Sequence, residues 1–291
     1  MSQIMAYELT KLSQEEIPPQ LLEIPQPPKE LWIAGTLPSP ETVLLTVVGS
    51  RKYTSYGKEA CEELISGLRG YDVAIVSGLA LGIDSIAHES AMAAGLPTIA
   101  VPGSGLDPSV IYPRSNFQLA ERILGSGGAL LSEFAPHFRA TDWSFPQRNR
   151  IMAGLAKATL LVEAGERSGT LITARLAADY DRDVLVVPGS IFSPASLGTH
   201  QFLKLGATPV TSSEDVLRAL GFALQEITHG VVDLSELTEN ERSVMEFLTE
   251  PRDRDSLIEA LEISASDANI LLMKMEIAGL IVETPSGIRR R

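Results

Sequence analysis

The chain has a single cysteine, Cys61, among 291 residues. One thiol excludes an intramolecular disulfide and points to a reducing compartment. No run of about 18 uninterrupted apolar residues occurs, so no membrane span is expected. Met1 to Thr10 mixes polar and apolar residues where a leader would run from basic to apolar, and the chain is read as cytoplasmic. Histidines are few, four in all, and His88, His137 and His200 stand far apart, with no metal-ligand spacing around them. Nothing pairs Cys61 with a base. No metal, cofactor or catalytic set is therefore expected. Positive charge is also scarce, with 24 Lys and Arg against 37 Asp and Glu and a net charge of −13. Taken over the whole chain, that balance argues against nucleic acid as a ligand.

The distribution of charge changes this. Residues 1–40 carry 2 basic and 5 acidic side chains, residues 223–291 carry 7 and 14, and the centre, 41–222, carries 15 and 18. Acidity is concentrated in the flanks, which leaves room for a local basic groove in the centre. What is present is otherwise an ordinary globular composition, 44% hydrophobic and 21% charged. The length predicts about two domains.

Residues 1–40 read as an arm, because Pro18, Pro19, Pro25, Pro27 and Pro28 oppose regular helix and favour extended backbone. Trp32 and Ile33 are the residues expected to dock it. From Leu44 a regular alternation begins. "LLTVVGS" (44–50), "DVAIVSG" (72–78), "PTIAVPG" (97–103), "GALLSE" (128–133), "ATLLVEAG" (158–165) and "DVLVVPG" (183–189) read as buried strands. Helical stretches such as Gly57–Leu68 and Ile83–Ala94 lie between most of them. This predicts an α/β domain over 41–222, doubly wound around a mainly parallel sheet, with its ligand at the carboxyl ends of the strands. After a linker over 223–235 the strand signal stops. Helical patterns over 238–248, 254–263 and 266–281, then "VETPSGIRRR", predict a small winged-helix-like domain over 236–291, with a plain helical bundle as the other reading.

Glycine and small polar residues collect at the predicted strand ends. "GSGLDP" (103–108) begins like a dinucleotide fingerprint but has Pro108 at the third glycine position, which argues against a nicotinamide cofactor. "SGLALGID" (77–84) lacks the GK[ST] ending of a nucleotide-hydrolysing loop. Its glycines allow a backbone nest for phosphate, and Asp84 either caps the following helix or meets the ligand. Arg51 follows a strand directly. Arg114, Asn116 and Phe117 share one loop, where the aromatic either stacks a base or belongs to the core. Arg148 and Arg150 flank Asn149 in "SFPQRNRIMAG" (144–154), where the pair is expected to hold phosphate, or one of the two to pair with a carboxylate such as Glu133 or Glu163. Ser168, Gly169 and Thr170 open a helix in an anion-binding arrangement. His88, between apolar neighbours, reads as a packed histidine.

In this order the pieces resemble the DNA-processing protein A family (DprA, also called Smf). The likeness spans residue 43 to about 221 through "VVGSR", "SGLALGID", "IYP", "LLSE", "FPQRNRIMAGL", "SGTLITA", "VPG" and "GTHQFLKLGA". It implies an extended Rossmann-like domain that binds single-stranded DNA. It further implies protection of incoming strands in natural transformation, loading of a RecA-type recombinase, a homodimer and no enzymatic activity. Carried over residue by residue, it implies a DNA-binding set of Gly49, Ser50 and Arg51; Ser77, Gly78 and Gly82; Arg114, Asn116 and Phe117; Arg148, Asn149 and Arg150; and Ser168, Gly169 and Thr170. This chain departs from the family pattern at Arg114, where lysine is commoner, and at His200, where asparagine is typical. Its N-terminal arm is also too short and proline-rich for the helical domain many members carry. The terminal module looks like the family's winged helix. Over 264–281, however, it offers only Lys274 against Asp267 and Glu276, which reads as a protein contact, although Arg289, Arg290 and Arg291 remain for a DNA backbone.

Two other readings stay open. A nucleotide phosphoribohydrolase of related fold would need a catalytic glutamate close after Gly169-Thr170. Here Leu171, Ile172 and Thr173 follow, with no carboxylate, although Glu133 and Glu163 remain nearby. A nucleotide-sensing or purely protein-binding relative would have lost strand binding altogether.

Overall fold

The computed structural model describes residues 7–223, 237–284 and 287–290. The chain forms two compact units, Met1–Ala223 and Leu224–Arg291. Apart from Ala223, the linker expected over 223–235 lies outside the described residues.

In the first unit, chain order runs β1 (Thr10–Lys11), α1 (Pro19–Leu22), β2 (Trp32–Gly35), β3 (Val43–Val48), α2 (Ser55–Ser66), β4 (Val73–Ser77), α3 (Ile83–Ala94), β5 (Thr98–Ala100) and α4 (Phe117–Gly125). It continues with β6 (Ala129–Ser132), α5 (Ser144–Leu155), β7 (Ala158–Leu161), α6 (Thr170–Asp179), β8 (Asp183–Val186), α7 (Leu197–Lys204), β9 (Thr208–Pro209) and α8 (Ser213–Ala219). Every residue of β4, β5, β6 and β7 is buried, as strands covered on both faces must be. The nine-stranded sheet has the order β1-β2-β6-β5-β4-β3-β7-β8-β9. Pairing is parallel from β6 across to β9 and antiparallel only where β2 meets β6 and β1 meets β2. Successive strands move outward from β3 on one side as β4, β5 and β6, and on the other as β7, β8 and β9. The crossover direction therefore reverses between β3 and β7, and a crevice opens there at the carboxyl ends of the strands.

The proline-rich segment is not an extended arm. Pro19 occupies the first turn of α1, where its missing N–H would have had no helical partner anyway. Ile17, Leu21, Ile24 and Leu31 are buried in one core cluster with Ile151, Met152 and Leu155 of α5. The approach is close at Gly154, where a Cβ would stand 2.7 Å from Ile24. Trp32 and Ile33, expected to dock the arm, belong to β2 and extend the main sheet beyond β6.

The second unit comprises α9 (Glu239–Phe247), α10 (Arg254–Ala260), α11 (Ala265–Ile277) and the hairpin β10 (Ile281–Thr284) and β11 (Gly287–Arg290). Thr238 and Glu241 form a capping box that starts α9, and Asp253 and Ser264 cap α10 and α11. Val244, Leu257, Leu272, Met275, Ile281 and Ile288 share a separate core. Three helices followed by a hairpin make this a winged helix, not a plain bundle. The hairpin is anchored by Arg252, whose N–H and C=O both pair with Ile288.

Candidate functional site

At the crossover between β3 and β7 lies a cavity of about 600 Å³. One wall is Gly49-Ser50-Arg51-Lys52, directly after β3; another is Gly165 to Thr170, between β7 and α6; α5 supplies the third. Phe145, Pro146, Arg148, Asn149 and Met152 of α5 line the cavity. Phe145, Arg148, Asn149 and Met152, spaced i, i+3, i+4 and i+7, form a single helical stripe.

The β3 loop is held in shape by Ser50, whose Oγ accepts the Lys52 N–H (3.0 Å) and donates to the Lys52 carbonyl (2.8 Å). Arg51 and Lys52 are thereby exposed at the cavity mouth. The Arg51 guanidinium stands 5.6 Å from the Phe145 ring centroid, and the Tyr112 ring packs against the same phenylalanine at 5.6 Å. Across the cavity, Ser168 Oγ donates to Thr170 Oγ1 (2.8 Å), which donates to the Gly49 carbonyl (3.1 Å). This relay ties the start of α6 to the end of β3. Ser168 Oγ also accepts the Thr170 N–H (3.3 Å), and no acidic residue sits in the first turn of α6. The positive end of α6 thus faces a cavity that also carries Arg51, Lys52 and Arg167 against one exposed carboxylate, Glu166, a balance that favours an anion.

Arg148 lies beneath this surface. It is 5% exposed, and its Nη1 donates to the carbonyls of Gly78 (2.6 Å) and Val101. Burial lowers its pKa to about 10, which leaves it charged at neutral pH, with Asp84 as the favourable neighbouring charge. Asp84 is buried too, and burial pushes its carboxyl above the usual range while Arg148 opposes that shift. Its Oδ2 accepts the N–H groups of Gly78 (3.1 Å) and Ala80 (3.3 Å). In the expected phosphate nest of "SGLALGID" the N–H groups of Gly78 and Ala80 are therefore already taken by Asp84, and that of Ile83 at the helix start donates to the Ser50 carbonyl (3.2 Å). Ser77 is fully buried and donates to the Val47 carbonyl (2.7 Å). Gly78 lies where a Cβ would stand 2.4 Å from Arg148, and Gly82, at φ +84°, lies where a Cβ would meet the Ser50 carbonyl at 2.3 Å. These three shape the floor and the β3 loop without lining the cavity.

Arg150 turns away from its neighbour. Two residues along a helix correspond to about 200° of rotation, so Arg148 and Arg150 occupy opposite faces. Arg150 pairs with Glu133 and donates to the Gln26 carbonyl (2.7 Å), tying α5 to β6 and to the N-terminal segment. Asn116 is similarly occupied: its Nδ2 donates to the Leu79 carbonyl and to Ser85 Oγ, both at 2.8 Å. It braces a loop in which Leu79 adopts φ +58°. Phe117 is buried in a second apolar cluster, with the exposed Arg114 guanidinium 4.3 Å from its ring centroid. Arg114, Asn116 and Phe117 lie outside the cavity lining.

The structure thus gathers Gly49, Ser50, Arg51, Arg148, Asn149, Ser168, Gly169 and Thr170 and separates the rest. Sequence reasoning missed Lys52, Phe145 and Arg167. Phe145 was legible as the i−3 partner of Arg148 on one helical stripe. Of the other candidates, His88 is the packed histidine expected, its Nδ1 2.7 Å from Thr98 Oγ1 and its pKa lowered by burial to about 3. Burial also pushes the Cys61 thiol up, which keeps it protonated. His200 Nε2 lies 3.0 Å from the Gly189 carbonyl. In the second unit Arg290 is held by the Met245 carbonyl, and Arg291 lies outside the described residues. Among the described residues no helix is long and apolar enough to cross a membrane.

The sequence profile of the family described as DNA recombination-mediator protein A matches residues 8–221. Protein Smf of Escherichia coli is 36% identical over 295 positions, covering 98% of this chain and 77% of that protein. DNA processing protein DprA of Streptococcus pneumoniae is 42% identical over 205 positions, 70% of this chain and 71% of that one. The crystal structure of the S. pneumoniae protein superposes with a TM-score of 0.68 at 38% identity, covering 75% of this chain and 76% of the other. DNA processing protein A of Helicobacter pylori, described for its single-stranded DNA binding mode, superposes with a TM-score of 0.66 at 29% identity, covering 74% of this chain and 96% of the other.

Proposed function

We propose that this chain, which belongs to the DNA recombination-mediator protein A family, binds single-stranded DNA across the crevice between β3 and β7. The observation that carries the proposal is the meeting of exposed Arg51, Lys52 and Arg167 with the positive end of α6, at the point where the strand order reverses. Phosphates of the strand pair with these cations and with the helix terminus. An unpaired base lies against the Phe145 ring, beside Arg51. Neither contact reads base identity, so binding is independent of sequence. Arg148 acts from below by holding the Gly78 loop, and Arg114 adds a more distant cation.

The test is a salt titration with a short oligothymidylate. Release of counterions from single strands gives a slope near −0.7 per phosphate contact, so Arg51, Lys52 and Arg167 predict about −2, and Arg114 would bring it towards −3. Absence of a slope, or tighter binding to duplex, would overturn the reading.

The biological role follows the family. The chain would protect incoming strands in the cytoplasm during natural transformation and load a RecA-type recombinase on them, without enzymatic turnover. Stimulation of recombinase filament formation on coated single strands is the measurement that checks this. A homodimer is supported by Ile191, Phe192 and Leu205 around α7, large apolar residues that are 76%, 89% and 75% exposed. Phe192→Glu is expected to yield a monomer by light scattering, and an unchanged dimer would exclude this surface. The acidic winged helix is assigned to protein contact, since α11 carries Lys274 as its one cation.

The phosphoribohydrolase alternative has little in its favour. Glu163 accepts from the Thr54 N–H (2.9 Å) and hydroxyl (2.5 Å), and Glu133 is engaged by Arg150 and Gln147. Neither carboxylate lines the cavity. Release of free base from nucleoside monophosphates would revive this alternative.

A further inference from the structure

Beside the cavity stands an aromatic cluster that phosphate binding does not use. Trp143 immediately precedes α5, and its carbonyl accepts the Gln147 N–H of the first turn. Phe134 and Phe138 stack at 4.5 Å between centroids and 18° between planes. Trp143 meets them at 5.8 Å and 5.5 Å with steep interplanar angles of 78° and 62°. These contacts fix the indole, yet the residue remains 55% exposed. Burial in the fold therefore does not account for the tryptophan. A large ring held rigidly with much of its surface open is the arrangement a flat ligand uses, because little side-chain entropy is lost on contact.

Its position says which ligand. Pro146, three residues on and on the same side of the first turn, is exposed on the cavity wall, and Phe145 is the ring beside Arg51. The loop that carries the cluster also carries Arg139, exposed and without an ion pair among the described residues. The ring thus stands one helical turn from a residue that lines a cationic crevice, in a loop that carries a further cation, as suits a polyanion with aromatic bases.

We propose that Trp143 is a second stacking platform, on which an unpaired base of the bound strand lies as the strand leaves the crevice past Pro146. The proposal rests on the strand-binding reading above. It extends the site from the phosphate crevice to the Phe134–Phe138–Trp143 cluster.

The chain has two tryptophans, so Trp32→Phe leaves Trp143 as the sole indole reporter in the full-length protein. Titration with oligothymidylate should quench its fluorescence. An abasic oligomer of the same length and charge should bind more weakly and leave the fluorescence unchanged. Trp143→Ala should lower affinity about five- to a hundred-fold with the salt slope intact, since a stacked base contributes no counterion release. Trp143→Phe, which preserves the cluster, should retain most of the affinity. Binding followed by anisotropy of a labelled strand without any quenching would overturn the proposal, as would equal quenching by the abasic oligomer or unchanged affinity of Trp143→Ala. If no oligomer binds at all, strand binding itself fails, and that result is distinct from binding without quenching.

Discussion

At the scale of single residues, three arginines of similar appearance in the sequence have three different tasks. Arg51 is exposed at the cavity mouth, Arg148 is buried on two carbonyls, and Arg150 is spent on Glu133. Arg51→Ala is therefore expected to weaken oligothymidylate binding and reduce the magnitude of the salt slope by about 0.7. Arg148→Ala leaves the Gly78 and Val101 carbonyls and the Asp84 carboxylate without their partner, and a loss of about 3–5 kcal/mol in denaturant unfolding is expected. Arg150→Ala should also destabilise, while the slope for whatever binding remains stays unchanged. His88 bears on acid stability. Its pKa is depressed to about 3 in the fold, so the unfolded chain takes up a proton below about pH 6.5 while the native chain does not. Stability present above pH 6.5 is thus lost as pH falls towards 3, by about 1.4 kcal/mol per pH unit. His88→Gln should flatten that part of the acid limb, and an unchanged limb would contradict the assignment.

At the scale of elements, the site depends on how closely two loops approach each other. Gly82 adopts a left-handed conformation under the Ser50 carbonyl, and Thr170 at the start of α6 bonds the Gly49 carbonyl. Gly82→Ala combines backbone strain with a 2.3 Å clash against the Ser50 carbonyl. It should cost about 1–3 kcal/mol and displace Arg51, so affinity falls although no cation has been removed. Thr170→Val removes the tie between α6 and β3 with little change in volume, and its effect should appear in binding more than in melting temperature. The periodicity of α5 made much of this legible beforehand. Positions 145, 148, 149 and 152 fall on one face, and 150 on the other. Of the two tasks open to the arginines of "RNR", a phosphate or a carboxylate such as Glu133 or Glu163, Arg150 has the second, its partner being Glu133.

At the scale of the whole molecule, each unit has a core of its own. Calorimetry of the full chain should resolve two transitions, and a chain ending at Ala223 should bind oligothymidylate with an unchanged salt slope. A single merged transition, or loss of binding on truncation, would mean that the acidic unit takes part in the site. The N-terminal segment belongs to the first core, so removing residues 1–40 should destabilise that unit severely. Among its buried apolar residues, Ile17, Leu21, Ile24 and Leu31 each stabilise by about 1.5–3 kcal/mol.

From the residues alone the six inner strands β3 to β8 and their order are legible, whereas β1, β2 and β9 are not. Runs of β-branched residues alternating with amphipathic stretches have one economical solution, a parallel sheet covered on both faces, and glycine with small polar residues marks the strand ends. Three helices and a hairpin were legible at the C-terminus in the same way. Only the tertiary structure decided which cations face the ligand, because burial and pairing depend on what arrives from distant parts of the chain. Glu133 at the end of β6 claims Arg150, Asp84 claims the Gly78 and Ala80 N–H groups, and Asn116 is spent bracing Leu79 and Ala80. It also decided the fate of the prolines. Composition reads them as extended backbone, yet the apolar residues between them had a place to be buried against α5, and burying them outweighed the local preference.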